Sequence, residues 1–431
     1  MAGSGKKYST SRSGRRRRFP VFSVVLVTCY LVVAVLFFLY GFGEGTRSDP
    51  DEAPGVEAPP ETTAPPVETP DLNTEPLVNE PVPLPPAVAV KGIYIGGRTA
   101  GDKARMDNYI DLCATTEINT LVIDVKEDHG YITFLTDNEA FSGTTRDFIP
   151  DIEELVRELK SQGIYSIARI VCFRDPRWAG SNPQYAIQDK AGNQWTDRSG
   201  ESWLDPYKRE NWEYIAEVCL EAASLGFEEV QLDYVRFPSE GNLSEIDFGT
   251  AGEEQTKTEV IAEFVSFIRE TMLQVGVRTS TDVFGIIALS DADARYIGQD
   301  IRLLLPHVDA LSPMIYPSHF SNKRQNGEGQ IINGKLFEAP DTEPYEVIYN
   351  TLRHFIAHME QNEPNQAILR PYLQDFTASY LSNGFFIEYG AGEVRAQIQA
   401  VYDAGFEEWI LWNPAGVYSE DAFREPQVTT D

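Results

Sequence analysis

Cysteine is scarce in this chain of 431 residues, with four in all, Cys29, Cys113, Cys172 and Cys219. The last three form an odd number in mostly apolar surroundings, which reads as small buried hydrophobes and not as a disulfide framework. No CxxC and no paired Cys/His spacing is present, so the sequence suggests no metal, and no cofactor is expected. HExxH, GxSxG and a Walker loop are all missing, which leaves no motif for zincin, nucleophile-elbow or P-loop chemistry. Histidine is equally sparse, at five. His354 and His358 stand four apart on a helical stretch, a spacing that suits a metal pair, but with no third ligand an exposed helix face is the simpler reading. His129 and His319 are isolated in loops and are weak candidates for substrate contact.

Positive charge is in short supply too: 36 Lys and Arg face 66 Asp and Glu, a net charge of -30. Seven of the cations, Lys6, Lys7, Arg12 and Arg15 to Arg18, lie at the N-terminus with no acid among them. Setting these seven aside takes the remainder from -30 to -37, too acidic for a nucleic-acid binder. The uncharged apolar run 21–43 that follows is long enough to cross ~30 Å of hydrocarbon as a helix. It is long for a signal-peptide core and has no obvious small-residue cleavage site, so an uncleaved anchor is expected, with a cleaved signal as the alternative. The positive-inside rule puts residues 1–20 in the cytoplasm and the rest of the chain outside. Residues 44–86, rich in Pro, Glu and Thr, cannot build a core and read as a semi-extended stalk. At ~3 Å per residue it would span on the order of 100 Å.

What the chain has in quantity is apolar and aromatic residues, 42% and 11%, enough for a large core beyond the stalk. From residue 88 on, short runs rich in Val, Ile, Leu and Tyr alternate with stretches of helical period, the pattern of repeated strand-helix units. Eight candidate strands fall at 92–97, 119–126, 165–173, 229–235, 278–287, 308–316, 366–374 and 407–413. Helices are expected near 103–117, 150–162, 208–225, 256–275, 296–305, 343–360 and 390–404. In SQGIYSIARIV, SLGFEEVQLDY and DAGFEEWILWN the glycines 163, 226 and 405 suit the left-handed residue that stops a helix before its strand. The fold expected is α/β, a (β/α)8 TIM barrel over 87–420 with a tail at 421–431. A doubly wound sheet is the alternative, but no GxGxxG turn follows the first strand. The long loops after strands two, three, four and six would share the C-terminal face and carry Trp178, Trp195, Trp203, Tyr131, Tyr185, Tyr207 and Phe320, which predicts an aromatic rim there.

Side-chain alternation places Val122, Asp124 and Lys126 on one face of strand two. It groups Arg169 with Val171 on strand three, Asp233 with Gln231 on strand four and Asp282 with Ser280 on strand five. Inside a barrel such charges must satisfy one another, because an isolated buried charge costs several kcal/mol. A cluster of Asp124, Lys126, Arg169, Asp233, Arg236 and Asp282 is therefore expected. An Asp kept ionised by Arg169 or Arg236 suits a nucleophile or oxocarbenium stabiliser, and a second carboxyl with less cationic support suits a general acid. Asp233 is the candidate for the first role and Asp282 for the second, with Asp124 as the other possible partner. At each of these positions a purely structural ion pair or turn cap is the competing reading. Lys126, Arg169, Tyr234 and Arg236, with Tyr316, Gln374 and Trp412 at the ends of strands six to eight, are candidates for substrate binding; core packing is the alternative for the last three.

The segments VKGIYIGG, NTLVIDVKEDHGYITF, IARIVCFRDP, EVQLDYVRFPSEG and DVFG resemble the motifs of a bacterial family of proposed glycoside hydrolases, distantly similar to α-amylase-type barrels. The resemblance covers most of residues 90–415. In α-amylase-like barrels the nucleophilic Asp ends strand four with an Arg two residues before it, and a Glu ending strand five is the acid. Asp233 takes the first position here, but Gln231 stands in place of the Arg and Asp282 in place of the Glu. The resemblance implies a barrel and a carbohydrate substrate. The chain is thus expected to be a single-pass, outward-facing membrane protein whose partner is a cell-wall or extracellular polysaccharide. Two other classes compete: a barrel that binds glycan without cleaving it, and a metal-dependent hydrolase of wall substituents.

Overall fold

The run 120–126, TLVIDVK, has the apolar and β-branched composition of a strand buried on both faces, and all seven of its residues are buried in the computed structural model. The structure describes residues 82–361 and 367–425. The expected basic segment, membrane span and nearly all of the stalk lie outside these residues, as does most of the tail. Among the described residues no helix is long and apolar enough to cross a membrane.

Eight parallel strands close on themselves. In chain order they are β1 (Lys91–Ile95), β2 (Thr120–Lys126), β3 (Tyr165–Val171), β4 (Glu229–Asp233), β5 (Arg278–Phe284), β6 (Ala310–Met314), β7 in two pieces (Ile368–Leu369 and Tyr372–Gln374) and β8 (Trp409–Trp412). Each pairs with its neighbours in sequence, and β8 pairs with β1 to complete a (β/α)8 barrel. Between them run α1 (Lys103–Thr115), α2 (Ile152–Ser161), α3 (Arg209–Ser224), α4 (Lys257–Val275), α5 (Asp291–Ile297), α6 (Pro344–Glu360) and α7 (Ala391–Asp403). Gly226 and Gly405 have φ of 99° and 94° after α3 and α7, the left-handed stops that the sequence predicts. The break in β7 falls at Arg370–Pro371, where proline has no amide to offer a ladder.

Two apolar cores result. The larger lies between strands and helices and contains Leu121, Ile123, Val230 and Leu232. A smaller one, with Tyr94, Val122, Ile167, Tyr372 and Ile410, fills the barrel interior. Polar layers share that interior. At the floor Arg370 lies between Glu229 (2.7 Å) and Glu408 (2.8 Å). Above it Tyr372 donates to Gln231 at 2.5 Å, and Gln231 donates to Ser312 at 3.3 Å. The chain reaches β1 across the floor, where the Arg278 guanidinium donates to the Pro85 carbonyl at 2.6 Å.

Candidate active site

At the C-terminal ends of β2, β3 and β4, one guanidinium holds three carboxylates. Arg169 Nη1 lies 2.6 Å from Asp124 Oδ1, while Nη2 and Nε lie 2.6 Å and 3.0 Å from Asp233 Oδ2. Nη2 also reaches Asp128 Oδ1 at 3.3 Å. Strand register explains the grouping: Asp124 stands opposite Arg169 across β2 and β3, and Arg169 opposite Gln231 across β3 and β4. Asp282 follows Thr281, the partner of Leu232, and so lies level with Asp233 on the next strand. The expected grouping of Asp124, Arg169, Asp233 and Asp282 at the mouth is therefore present.

Their environments differ. Burial pushes the Asp124 carboxyl up to about 7, against Arg169 and a 2.5 Å hydrogen bond from the Tyr94 hydroxyl. Burial, and then the neighbouring Asp233, hold Asp282 well above the usual carboxylate range. Among the described residues its Oδ1 has no hydrogen-bond partner. Burial also opposes ionisation of Asp128, yet Arg169, Arg174 and His129 hold its carboxyl below the usual range. Asp233 accepts the backbone N–H of Tyr234 on Oδ1 at 2.6 Å, in addition to Arg169 on Oδ2. Tyr234 has φ of 52°, a left-handed backbone seldom taken by an aromatic residue. The run DYVRFP thus turns sharply at the end of β4 and aims an amide at its own acid.

Two expected members of the cluster lie elsewhere. Lys126 does not share the face of Asp124, because the register slips between them: Asp124 pairs with Arg169 and Lys126 with Ile170. Such a bulge reverses the alternation. Lys126 is fully buried outside the barrel, with Nζ 2.8 Å from Asp175 Oδ2 and 2.6 Å from the Val171 carbonyl. Its burial corrects the expectation of a substrate contact. Arg236 lies with its guanidinium 4.7 to 5.0 Å from the rings of Phe284, Trp203 and Tyr234, and donates to the Phe237 carbonyl at 3.1 Å. Asp233 takes its guanidinium from Arg169 instead.

Gln374 is fully buried and engaged. It accepts from the Ser318 amide and hydroxyl and donates to Asp341 and the Phe376 carbonyl, so it ties loops together at the rim. Tyr316 and Trp412 stand 5.5 Å apart beside Tyr94 and Phe376 as an aromatic wall, in which Trp412 is half-buried. The predicted aromatic rim is largely turned inward: Trp195, Trp203 and Phe320 are buried, and Trp178 stacks on Tyr214 at 4.0 Å. His354 accepts the Asn333 amide at 3.0 Å, and His358 lies 3.2 Å from the Ala288 carbonyl.

Sequence reasoning missed Tyr94 and Asp128. The alternation rule, applied to GIYIGG, would have turned Tyr94 inward with its hydroxyl in need of a partner. Asp128 lies in a loop, where no periodicity marks it.

Fold and site together define a parallel barrel with acids at its strand ends, the arrangement TIM-barrel enzymes use. The chain belongs to the family described as "Putative glycosyl hydrolase domain" (DUF4015), which matches residues 92–418. Among solved structures, a hypothetical protein from Ruminiclostridium thermocellum is 35% identical over 44% of this chain and 97% of its own, with a TM-score of 0.41. The PgaB (BpsB) glycoside hydrolase domain from Bordetella bronchiseptica is 12% identical over 78% of this chain and 99% of that domain, with a TM-score of 0.53. The β-galactosidase of the psychrophilic Marinomonas ef1 is 12% identical over 77% of this chain and 57% of its own, with a TM-score of 0.50. At 12% identity the last two speak for the fold alone. A search of curated proteins finds no match.

Proposed function

We propose that the barrel hydrolyses a glycosidic bond in a cell-wall or extracellular polysaccharide, with Asp233 as nucleophile or stabiliser of the positive charge at the anomeric carbon. The supporting observation is the two-point grip of Arg169 on Asp233 beside a second carboxyl, Asp282, whose burial and nearness to Asp233 favour its neutral form. Glycosidic cleavage needs one acid ionised and one holding its proton, and different surroundings divide those roles. Asp282 is assigned as proton donor, with Asp124 as the alternative. The aromatic wall of Tyr316 and Trp412 offers an apolar face for a sugar ring. On this reading the apolar run 21–43 anchors the chain and the barrel works outside the membrane. The family description supports a hydrolase of glycosyl bonds.

The test is reducing-sugar release from a panel of bacterial wall and capsular polysaccharides, with Asp233→Asn, Asp282→Asn and Asp124→Asn alongside. Asp233→Asn and the variant of the true donor should each lower release by on the order of a hundredfold or more while glycan binding persists. One observation favours a second reading, a glycan-binding barrel without catalysis: Asp124, Asp233 and Asp282 are only 3%, 6% and 2% exposed. Binding without release by the unmodified chain, across a panel that includes its native glycan, would establish that alternative.

A further inference from the structure

The cluster at the mouth is a chain of hydrogen bonds that begins one strand earlier than the acids themselves. On β1, the Tyr94 hydroxyl donates to Asp124 Oδ2 at 2.5 Å, and the opposite oxygen of Asp124 accepts from Arg169 Nη1 at 2.6 Å. The other edge of the guanidinium grips Asp233. The Tyr94 ring also lies 5.5 Å from the guanidinium.

Four carboxyls surround Arg169 or adjoin it; Arg174 and His129 also support Asp128, but one guanidinium cannot keep the other three all ionised in a buried site. Which acid stays charged therefore depends on neutral donors, and Tyr94 is the neutral donor on Asp124. A phenol bonded to a carboxylate favours its charged form. If Asp124 takes up a proton, Nη1 loses its charged partner and the guanidinium is no longer fixed from both sides.

We propose that Tyr94 is a positioning residue: its hydroxyl holds Asp124 as a carboxylate against Arg169, and through Arg169 it fixes Asp233 for reaction. This rests on the glycosidase reading for its consequence, but the hydrogen bond itself is testable without substrate. The groups facing Asp124 are Tyr94 from β1, Arg169 from β3 and Asp128 from the loop after β2. Asp233 and Asp282 lie beyond the guanidinium.

The deciding experiment is thermal unfolding of the full chain and its Tyr94→Phe variant across pH 5 to 9. Phenylalanine keeps the ring and removes the donor. With Asp124 titrating at about 7 in the unmodified protein, the melting temperature lost by Tyr94→Phe should be small at pH 5, where the acid is protonated anyway. It should grow as the pH rises through 7. In an Asp124→Asn background that dependence should vanish. A loss that is the same at every pH, or that keeps its pH dependence in the Asp124→Asn background, would overturn the proposal.

Where a substrate is cleaved, the acid limb of kcat/KM should move to higher pH in Tyr94→Phe, with kcat lowered more than KM is raised. An unmoved limb would count against the positioning role, since a merely structural hydroxyl would scale the whole profile down. Absence of cleavage by the unmodified chain defeats the glycosidase reading alone, and the unfolding series still decides whether Tyr94 holds Asp124.

Discussion

Asp233 and Tyr234 are locked to each other: the acid accepts its neighbour's amide at 2.6 Å, and that amide points the right way because Tyr234 is left-handed, with φ of 52°. Backbone strain of this kind persists where surrounding structure over-determines it, often at functional sites. Here it holds one oxygen of Asp233 while Arg169 holds the other.

That strain can be measured by comparing two variants that both lose the ring. Tyr234→Gly relieves the left-handed backbone and Tyr234→Val aggravates it, so the valine variant should be the less stable by about 1–2 kcal/mol in chemical denaturation. Equal stabilities would mean that the backbone at 234 stores no strain.

Lys126 and Asp175 form a fully buried pair that joins β2 to the loop after β3. Removing one partner leaves the other charge uncompensated, so Lys126→Met should cost about 3–5 kcal/mol. Adding Asp175→Asn should recover part of that loss, since the amide oxygen can still accept from Arg177 and Trp178 and cap the short helix Pro176–Ser181, as Asp175 does now. A single variant as stable as the parent would show that Lys126 is not confined as the structure has it.

His129 meets Glu201 at 3.4 Å, linking the loops after β2 and β3. The Glu201 contact, and then Glu127 and Asp128, raise the imidazole above its ordinary 6.5, against partial burial. A His with a raised value contributes stability that is fully present below its unfolded value and is lost as pH rises through the folded one. His129→Gln should therefore be less stable than the parent at pH 5.5 and match it by pH 8.5. The ring is half exposed, so the gap should stay under about 1 kcal/mol and shrink in high salt. A gap that widens with pH would reverse the assignment.

Trp412 is the half-buried member of the aromatic wall. If a sugar ring stacks there, Trp412→Ala should weaken glycan binding by roughly 1 kcal/mol while leaving kcat nearly unchanged. A loss confined to kcat would place Trp412 outside the binding surface.

The barrel was legible because each strand declares itself locally, by β-branched runs set between helical stretches and glycine stops. Asp124, Arg169, Asp233 and Asp282 were legible for the same reason, since alternation places each on the inner face. Lys126 was misplaced because a bulge between it and Asp124 is decided by how β2 meets β3, and no residue in TLVIDVK announces it. Of the two cations that the sequence offers Asp233, Arg169 on the adjacent strand supplies the guanidinium, in place of the arginine that Gln231 replaces. The partners of Gln374, Ser318 and Asp341, likewise come from distant loops.

The crossing of the floor by Pro85, held by Arg278, fixes a direction as well as a contact. Residues 82–86 lie at the end of the barrel opposite Asp124 and Asp233. A tether on that side would act as a stem, with the acids at the far pole, so that long polymers could reach them without passing the point of attachment.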